Sequence, residues 1–495
     1  MRAAVKILFL ASEVTPYSKT GGLGDVAGAL PAALAELGHE VVVATPHYTT
    51  VRAREPLDKL DRTLALRFPF GTEVATYSVA NPRPRQRILF VGNARFFARS
   101  GLYGDQRGDY PDNHRRFAFF TMASISACAL LEFWPDVVHL NDWQTGLGAV
   151  ALRRGYRATP LEGARSVFTI HNLAYQGMFP KRAMDELGLP WELFVPTGLE
   201  FYDQLSFLKA GIAFSDALTT VSPGYAQEIQ TPEAGWGLDG LLRIRNHVLY
   251  GILNGVDVQE WNPGKDRYLP YHYGADDLSG KAKCKAALLN DFRLSRGGGE
   301  RGPPVFGIVS RLVAQKGFDI LLPALSWLLE QDVRFVGLGS GEIRFEQGLR
   351  SLQRRFPEKA GLFIGYDSAL AHLIEAGSDF FLMPSLYEPC GLNQMYSLLY
   401  GTIPVVRRVG GLEDTVIDLD ERGGNGIKFG PFDPGALVGA MRRALALYAD
   451  EPRFQAVRVR GMRTDFSWKH AAREYESVYL GREPGRDLPE ARKAE

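Results

Sequence analysis

Two basic residues and one carboxylate in the second half of the chain, Arg311, Lys316 and Glu388, could carry group-transfer chemistry. Arg311 comes directly after the strand-like stretch 304–310, and Lys316 follows before a helix-like segment begins. Two cations at the end of a strand suit a diphosphate leaving group, which gains negative charge as its bond breaks. Glu388 follows the apolar stretch 380–385, and its carboxylate could accept hydrogen bonds from sugar hydroxyl groups. A solvated basic turn and a helix-capping glutamate are the structural alternatives.

A glycine-rich loop near the start of the chain, K-T-G-G-L-G-D-V at 19–26, is a second candidate site. Its glycines fit the G-x-G-x-x-G/A pattern of dinucleotide-binding enzymes. However, the preceding strand-like stretch ends near Ala11, well before the glycines, and the next one carries no acidic residue at its tip. The pattern therefore does not predict a dehydrogenase. Free backbone N–H groups at a helix start attract an anion, and Lys19 adds a positive charge, unless it is an ordinary surface lysine.

Polar side chains also end two neighbouring strand-like stretches in the first half. Asp142 follows the stretch 136–140, His171 ends the stretch 166–171, and Asn172 comes directly after it. Parallel α/β sheets place their ligand sites at the carboxyl ends of strands. These side chains are therefore expected to point into the same crevice as Lys19, although a lone His or Asp at such a position is usually structural.

The elements that must position these residues alternate between strands and helices. Unalternated apolar stretches separated by helix-length segments predict an α/β class with parallel sheets covered on both faces. We expect two Rossmann-like domains with a boundary near 262–266. The strand-like stretches are 5–11, 40–46, 87–91, 136–140, 166–171 and 217–222 in the first half, and 304–310, 334–339, 362–366, 380–385 and 403–407 in the second.

Charge and composition exclude several classes of protein. The 495 residues include 57 Lys and Arg against 56 Asp and Glu, a balance that argues against nucleic acid or a membrane as the main partner. Three cysteines are too few for a disulfide framework or a zinc site and suit a reducing cytosol. The longest apolar stretch, 117–131, is too short to span a membrane and predicts a buried helix. A cytoplasmic protein is expected, and its oligomeric state leaves no mark in the sequence.

Seven motifs, in their order along the chain, resemble those of bacterial glycogen synthases and plant starch synthases. They are K-T-G-G-L-G-D-V, H-N at 171 and 172, V-S-P-G-Y-A-Q-E-I, N-G-V-D with W-N-P, S-R-L-V-A-Q-K-G, L-G-S-G and E-P-C-G-L. The resemblance runs from about residue 5 to about residue 478, and K-T-G-G-L and E-P-C-G-L are specific to this family. It implies a GT-B fold, in which two Rossmann-like domains face a central cleft and a C-terminal helix crosses back to the first domain.

The resemblance also implies which part of the chain forms each domain and what each domain binds. Residues 1–262 would form the acceptor-side domain with the Lys19 loop, and 263–465 the domain that holds the nucleotide-sugar donor. Residues 466–480 would form the returning helix, and 481–495 a disordered tail. Similar enzymes transfer glucose from ADP-glucose to the non-reducing end of an α-1,4-glucan such as glycogen. They retain the anomeric configuration and need neither a metal nor pyridoxal phosphate.

Site roles are implied motif by motif. Lys19 would contact the donor, Arg311 and Lys316 would hold the departing diphosphate, and Glu388 would bind glucose hydroxyls. His171 and Asp142 would position the transferred sugar, and Tyr366 would lie against the adenine. The remaining donor-binding candidates are Gly21, Gly22, Asp25, Asn172, Asn254, Cys390, Gly391, Leu392 and Asn393, and Tyr103 is a weaker candidate on the acceptor side.

Two positions depart from the family pattern. Asn393 stands where a threonine usually follows E-P-C-G-L, and Val409 removes a hydroxyl from the glycine turn that begins at Gly410. The alternatives left open are a UDP-sugar transferase, a phosphorylase with pyridoxal phosphate, and an inactive carbohydrate-binding protein. Retention is compatible with a front-face substitution or with a double displacement in which Glu388 is the nucleophile.

Overall fold

The computed structural model describes residues 4–51, 57–156, 158–298 and 301–485, which form two compact units. Unit 1 contains the residues up to Gly255 together with those from Trp468 onward, and unit 2 contains the residues between them. The division falls a few residues before the expected boundary, because the Val256 N–H already donates to the carbonyl of Phe466 in unit 2, at 2.7 Å. From residue 486 onward, the expected tail lies outside the described residues.

Unit 1 is built on a sheet that contains ten strands among the described residues. The strands of unit 1 are β1 (Lys6–Leu10), β2 (Glu40–Pro46), β3 (Asp58–Lys59), β4 (Leu64–Phe68), β5 (Gly71–Arg83), β6 (Gln86–Gly92), β7 (Gly104–Asp105), β8 (Gly108–Asp109), β9 (Val137–Asn141), β10 (Arg165–Ile170), β11 (Met178–Pro180), β12 (Glu200–Phe201), β13 (Gln204–Ser206), β14 (Ala217–Thr220) and β15 (Leu249–Gly251). The sheet order is β15-β14-β10-β9-β1-β2-β6-β5-β3, with β4 paired to β5.

The parallel part of this sheet runs from β15 to β6. Its strands are apolar and buried; in β1, Ile7, Leu8, Phe9 and Leu10 have no exposed surface. Such runs confirm the predicted α/β class, because a sheet covered on both faces needs apolar residues at every position. Strands β4 and β5 join antiparallel and were not predicted, since their residues alternate between buried and exposed.

Eight helices, counted among the described residues that precede Gly255, accompany this sheet. They are α1 (Gly22–Glu36), α2 (Ala94–Phe97), α3 (Asn113–Leu130), α4 (Leu147–Gly155), α5 (Ala183–Leu187), α6 (Phe207–Phe214), α7 (Pro223–Glu228) and α8 (Asp239–Ile244). The apolar stretch 117–131 lies almost wholly within α3 and is largely buried, as predicted.

Unit 2 holds a sheet in the order β18-β17-β16-β19-β20-β21, all of whose described neighbours run parallel. Its strands are β16 (Val305–Val309), β17 (Arg334–Gly339), β18 (Ala360–Ile364), β19 (Phe380–Met383), β20 (Ile403–Arg407) and β21 (Ile427–Phe429). Its helices are α9 (Ser279–Asp291), α10 (Phe318–Leu328), α11 (Ile343–Arg355), α12 (Ser368–Gly377), α13 (Asn393–Leu399), α14 (Gly410–Thr415), α15 (Pro434–Ala449) and α16 (Glu451–Met462).

Helix α9 lies between the two series of predicted strands. Two of its three lysines, Lys281 and Lys285, are buried rather than solvated. Lys281 Nζ donates to the Ala376 carbonyl and the Thr402 hydroxyl, each at 2.8 Å, and Lys285 Nζ donates to Asp379 at 2.7 Å. Polar side chains whose hydrogen bonds are satisfied can lie in a core. The lysines of α9 therefore do not by themselves indicate an exposed helix.

The last described helix, α17 (Trp468–Tyr479), belongs to unit 1. Trp468, Tyr475 and Tyr479 are buried in the same apolar cluster as β1 and α1. The Tyr479 hydroxyl hydrogen-bonds with His139 Nδ1 of β9 at 2.7 Å. Among the described residues, no helix combines the length and the apolar character that crossing a membrane requires.

Candidate active site

In unit 2, the structure brings together Lys316 and Glu388, two of the three residues with which the sequence analysis began. Lys316 Nζ donates to Glu388 Oε2 at 2.6 Å, and the Ser385 hydroxyl donates to the same oxygen at 2.9 Å. Glu388 is buried and the Lys316 side chain is mostly so. The carboxylate therefore fixes the ammonium group at the carboxyl end of the sheet by charge-assisted hydrogen bonds.

Two loops that follow adjacent strands, β16 and β19, make this pairing possible. Gly317 has a φ of +77°, and a Cβ at that position would lie 1.9 Å from the Pro384 carbonyl oxygen. Only glycine allows the two backbones to approach so closely. The Leu386 N–H donates to the Gln315 carbonyl at 2.8 Å, and the Gln315 side chain donates to the Tyr387 carbonyl at 3.3 Å. The loops are thus held together independently of the charged pair.

Arg311 lies just beyond the end of β16 and is exposed. Its Nη2 donates to the Gln315 side chain at 3.3 Å. Nearby, Asn393 Nδ2 donates to the carbonyl of Val309, the last residue of β16, at 2.7 Å. The asparagine that departs from the family pattern therefore ties the start of α13 to the strand that leads to Arg311.

The glycine turn at 410–411 supports the backbone around Glu388. Gly410 has a φ of +41°, and a Cβ there would lie 2.1 Å from the Glu388 carbonyl oxygen. A Cβ at Gly411 would lie 2.1 Å from the carbonyl oxygen of Cys390. Val409 is buried in an apolar cluster of unit 2, so its methyl groups gain packing where a hydroxyl would need a partner.

In unit 1, the glycine loop is held by Glu13, a residue that the sequence analysis missed. The Glu13 carboxylate accepts hydrogen bonds from the Thr20 N–H and hydroxyl, each at 2.5 Å, and from the Gly21 N–H at 3.2 Å. The Tyr103 hydroxyl also donates to it at 2.5 Å. The Thr20 and Gly21 N–H groups are therefore already bonded within unit 1. The available signal was a glutamate three residues after the last residue of β1.

Lys19 and Asp25 form an ion pair on the outer side of this loop. The Nζ–Oδ1 distance is 2.6 Å, and 46% of the Lys19 side chain remains exposed. A Cβ at Gly21 or Gly22 would meet no described atom within 4 Å. Packing within unit 1 therefore does not require these two glycines, in contrast to Gly317 and Gly410.

Asp142 and His171 are locked together at the ends of β9 and β10. The Asp142 carboxylate accepts from the His171 N–H at 2.8 Å. His171 Nε2 lies 2.9 Å from Asn141 Oδ1, while Asn141 Nδ2 donates to the Leu10 carbonyl at 2.9 Å. That second bond fixes the amide orientation, so Nε2 carries the imidazole hydrogen. Asp142 has a φ of +56°, which is unusual for a residue other than glycine and typical of functional sites.

The electrostatics of this pair follow from its burial. Burial raises the pKa of Asp142 from 3.8 to about 7, opposed by the backbone N–H groups of His171 and Asn172 and reinforced by the charge of Glu13. Burial lowers the pKa of His171 to about 3. The imidazole is therefore neutral at physiological pH and acts as a hydrogen-bonding group rather than a cation. Glu13, Asp142 and His171 thus share the carboxyl edge of neighbouring strands.

Comparison with known proteins identifies the family. A glycogen synthase from Myxococcus xanthus is 59% identical over 479 residues, which cover 96% of this chain and 99% of the relative. The chain belongs to the glycogen synthase family. A glycogen synthase from Anaeromyxobacter dehalogenans is 52% identical across 97% of this chain and 100% of the relative. Residues 6–244 match the starch synthase catalytic domain, and residues 294–456 match glycosyl transferases group 1.

Solved structures place the fold of this glycogen synthase family member. The catalytic domain of starch synthase IV from Arabidopsis thaliana, bound to ADP and acarbose, has a TM-score of 0.89 and 33% identity, covering 97% of this chain and 99% of its own. Sucrose-phosphate synthase from Thermosynechococcus elongatus, at 17% identity and a TM-score of 0.60 over 96% of this chain and 98% of its own, shares the fold alone. The chain is a GT-B glycosyltransferase, as predicted, and a glucosyltransferase of glycogen synthesis.

The other candidate residues lie in varied surroundings. Asn254 is buried, and its Oδ1 has no hydrogen-bond partner among the described residues. Tyr366 follows β18 and is 80% exposed. Asn172 Oδ1 accepts from the Ala174 N–H at 3.1 Å. The Tyr103 hydroxyl donates to the Glu13 carboxylate, and burial together with that charge raises its pKa, so the hydroxyl stays a donor.

Proposed function

We propose that the protein transfers glucose from ADP-glucose to the non-reducing end of an α-1,4-glucan, with retention and without a metal or pyridoxal phosphate. The observation that carries this proposal is the Lys316–Glu388 pair at the carboxyl end of the unit 2 sheet, with Arg311 just beyond the end of β16. ADP bound to the Arabidopsis relative supports the choice of nucleotide. Unit 2 would hold the donor, and unit 1 would present the acceptor.

The residues of unit 2 divide the work of holding the donor. Arg311 and Lys316 bind the diphosphate and stabilise the negative charge that develops as the glycosidic bond breaks. Glu388 Oε2 is already occupied by Lys316 and Ser385, which leaves Oε1 to accept from glucose hydroxyls. Tyr366 stacks against the adenine. The backbone N–H groups of Cys390, Gly391 and Leu392 and the Asn393 side chain complete the donor site.

The candidate residues of unit 1 act on the transferred sugar and on the donor phosphate. Lys19, whose side chain is 46% exposed, exchanges Asp25 for the donor phosphate, a change that costs little because ion pairs at the surface contribute about 0–1 kcal/mol. His171, Asp142 and Asn172 orient the transferred glucose, and Asn254 gives its unpaired Oδ1 a partner in the bound donor. The glycines at 21 and 22 leave room beside Lys19 for the ligand.

The anomeric configuration is retained because the reaction is a front-face substitution. The bond from the anomeric carbon to the diphosphate oxygen breaks and a bond to the acceptor 4-hydroxyl oxygen forms on the same face. The acceptor proton passes to the departing phosphate oxygen. The alternative requires Glu388 to attack as a nucleophile, but the lysine and serine hydrogen bonds to Oε2 stabilise its negative charge and weaken it for that role.

The test uses the purified protein with glycogen, a chelator and radiolabelled ADP-glucose or UDP-glucose. Incorporation should prefer ADP-glucose, and β-amylase should release the label as maltose, since it cleaves α-1,4 links from the non-reducing end. Lys316→Ala should lower the rate by about 10²-fold or more. The matched control is Lys265→Ala, because Lys265 is an exposed lysine of the same unit. Preference for UDP-glucose, or label that β-amylase does not release, would contradict the proposal.

A further inference from the structure

Unit 1 exposes three aromatic side chains that the proposed function does not use. Tyr175 is 51% exposed, Tyr202 76% and Trp236 50%. Large aromatic side chains are usually buried, and a cluster of exposed ones marks a binding surface more often than a single one does. We call Tyr175, Tyr202 and Trp236 the aromatic platform.

The three side chains lie next to one another although they are distant in sequence. Gln176, which follows Tyr175, donates from Nε2 to the Trp236 carbonyl at 3.0 Å. A Cβ at Gly237, which follows Trp236, would lie 3.2 Å from the Tyr202 hydroxyl. Trp236 therefore sits between segments that carry the two tyrosines.

Two of these residues occupy backbone conformations that their side chains disfavour. Tyr202 and Trp236 each have a φ of +51°. Tyr202 and Asp203 form the two-residue turn between β12 and β13, where both residues have positive φ and asparagine followed by glycine is preferred. Tyr202 occupies the first position of this turn although asparagine would fit the backbone better, and most of its side chain is exposed to solvent.

The charges beside the platform are paired with one another. Lys181 Nζ donates to both carboxylate oxygens of Asp203, at 2.9 and 2.8 Å. The Asp203 N–H in turn donates to Glu200 Oε1 at 2.8 Å. Paired charges of this kind favour a neutral, hydroxyl-rich ligand over an anion such as a nucleic acid or a nucleotide. The faces of aromatic rings suit the apolar faces of sugar rings, and Gln176 and Asp203 can meet their hydroxyls.

The platform is continuous with the candidate active site through one short loop. His171 and Asn172 begin the segment that ends at Gln176 and Gly177. This segment is anchored, because the Leu173 N–H donates to the Tyr225 hydroxyl at 3.0 Å and the Leu208 N–H donates to the Gln176 carbonyl at 3.2 Å. A chain that lies on the platform is therefore held at a fixed position relative to His171.

We propose that the aromatic platform binds a segment of the α-glucan acceptor outside the reacting glucose unit. This inference rests on the proposed function for the choice of ligand. Stacking on the three exposed rings increases the affinity for a long glucan chain. It adds no affinity for an acceptor that is too short to reach the rings. The platform thus distinguishes glycogen from small maltooligosaccharides by KM.

The experiment compares Trp236→Ala and Tyr202→Asn with Trp134→Ala. Trp134 is an exposed tryptophan of unit 1 that precedes the amino end of β9, so it lies at the opposite edge of the sheet. Binding is measured by affinity electrophoresis in gels containing glycogen, without donor, and KM is measured for glycogen, maltotriose and ADP-glucose. We expect Trp236→Ala to weaken glycogen binding and raise the glycogen KM about tenfold, within the range of stacking on one aromatic ring. The KM values for maltotriose and ADP-glucose should not change.

Tyr202→Asn separates a binding role from damage to the fold. Asparagine tolerates a positive φ better than tyrosine, so this variant should raise Tm while it weakens glycogen binding. Binding equal to that of Trp134→Ala in both variants would overturn the platform. If glycogen binding falls but no donor is used, the platform stands and the proposed transferase activity fails.

Discussion

Two lysines, one in each unit, pair with a carboxylate at the same distance of 2.6 Å, yet in opposite surroundings. The Lys19 and Asp25 side chains are 46% and 26% exposed, whereas those of Lys316 and Glu388 are 21% and 7% exposed. An exposed pair contributes about 0–1 kcal/mol, while removing one partner from a buried pair costs roughly 3–5 kcal/mol. The distance between the lysine nitrogen and the carboxylate oxygen is therefore not enough to distinguish a fixed cation from one that can change partners. The burial of the pair is also needed.

The supports of the two lysines differ in the same way. Glu388 touches its lysine directly, and glycines 317 and 410 clamp the backbones around it. Glu13 supports the loop that carries Lys19 through the backbone of Thr20 and Gly21, whereas Lys19 itself pairs with Asp25 and keeps 46% of its side chain exposed. Unit 2 thus presents a largely buried cation, and unit 1 presents an exposed one.

The strongest test of this contrast is Glu388→Gln. The change removes the charge that fixes Lys316, and we expect kcat to fall by about 10²–10³-fold, the scale for losing one group that stabilises developing charge. Label incorporation from ADP-glucose into glycogen measures it. Asp25→Asn is the matched change in unit 1 and should cost less than tenfold, because its lysine is already exposed. Equal losses in the two variants would mean that burial does not separate the two pairs.

A smaller effect is expected from Glu13→Gln, which tests the loop of unit 1. An amide is a weaker acceptor for the Thr20 and Gly21 N–H groups and for the Tyr103 hydroxyl, so the free energy of unfolding should fall by about 1–3 kcal/mol. The KM for the donor should rise about tenfold as the loop loosens. Denaturant titration and donor kinetics measure the two quantities. The surface variant Glu36→Gln is the control, and a Glu13→Gln protein as stable as this control would show that the carboxylate does not hold the loop.

The smallest effect concerns pH and the buried carboxyl of Asp142. Its pKa is raised from 3.8 to about 7, so between these values the folded state holds a proton that the unfolded chain releases. The free energy of unfolding therefore falls as pH rises from about 4 to 7. Asp142→Asn should flatten this fall by up to roughly 1.4 kcal/mol per pH unit, as measured by denaturation across that pH range.

Unit 2 provides the comparison for this pH effect. Burial raises the pKa of Glu375 from 4.5 to about 8, so Glu375→Gln should flatten the stability profile up to about pH 8. A profile for Asp142→Asn that keeps the slope of the unchanged protein would show that the Asp142 carboxyl is ionised throughout.

The sequence predicted the parts of the site that depend on strand ends. Arg311, Lys316 and Glu388 follow apolar runs that become adjacent parallel strands, and that topology brings their loops together. Glu13 could not be predicted because it belongs to no motif. Its role depends on the loop at Thr20 and Gly21, which folds back and donates hydrogen bonds to it. The role of Asn393 was also hidden, because its partner is a backbone carbonyl of a distant strand.

Helix α17 has a consequence for the order in which the chain acquires its structure during synthesis. Trp468, Tyr475 and Tyr479 complete the apolar core of unit 1, but they are translated after the whole of unit 2. A nascent chain can finish unit 2 while unit 1, whose first strand left the ribosome long before, still lacks one wall of its core. Domains generally fold as units, N-terminal first, and here that order is reversed for the final step. A nonsense codon just before α17 would therefore destabilise the half of the protein that was made first.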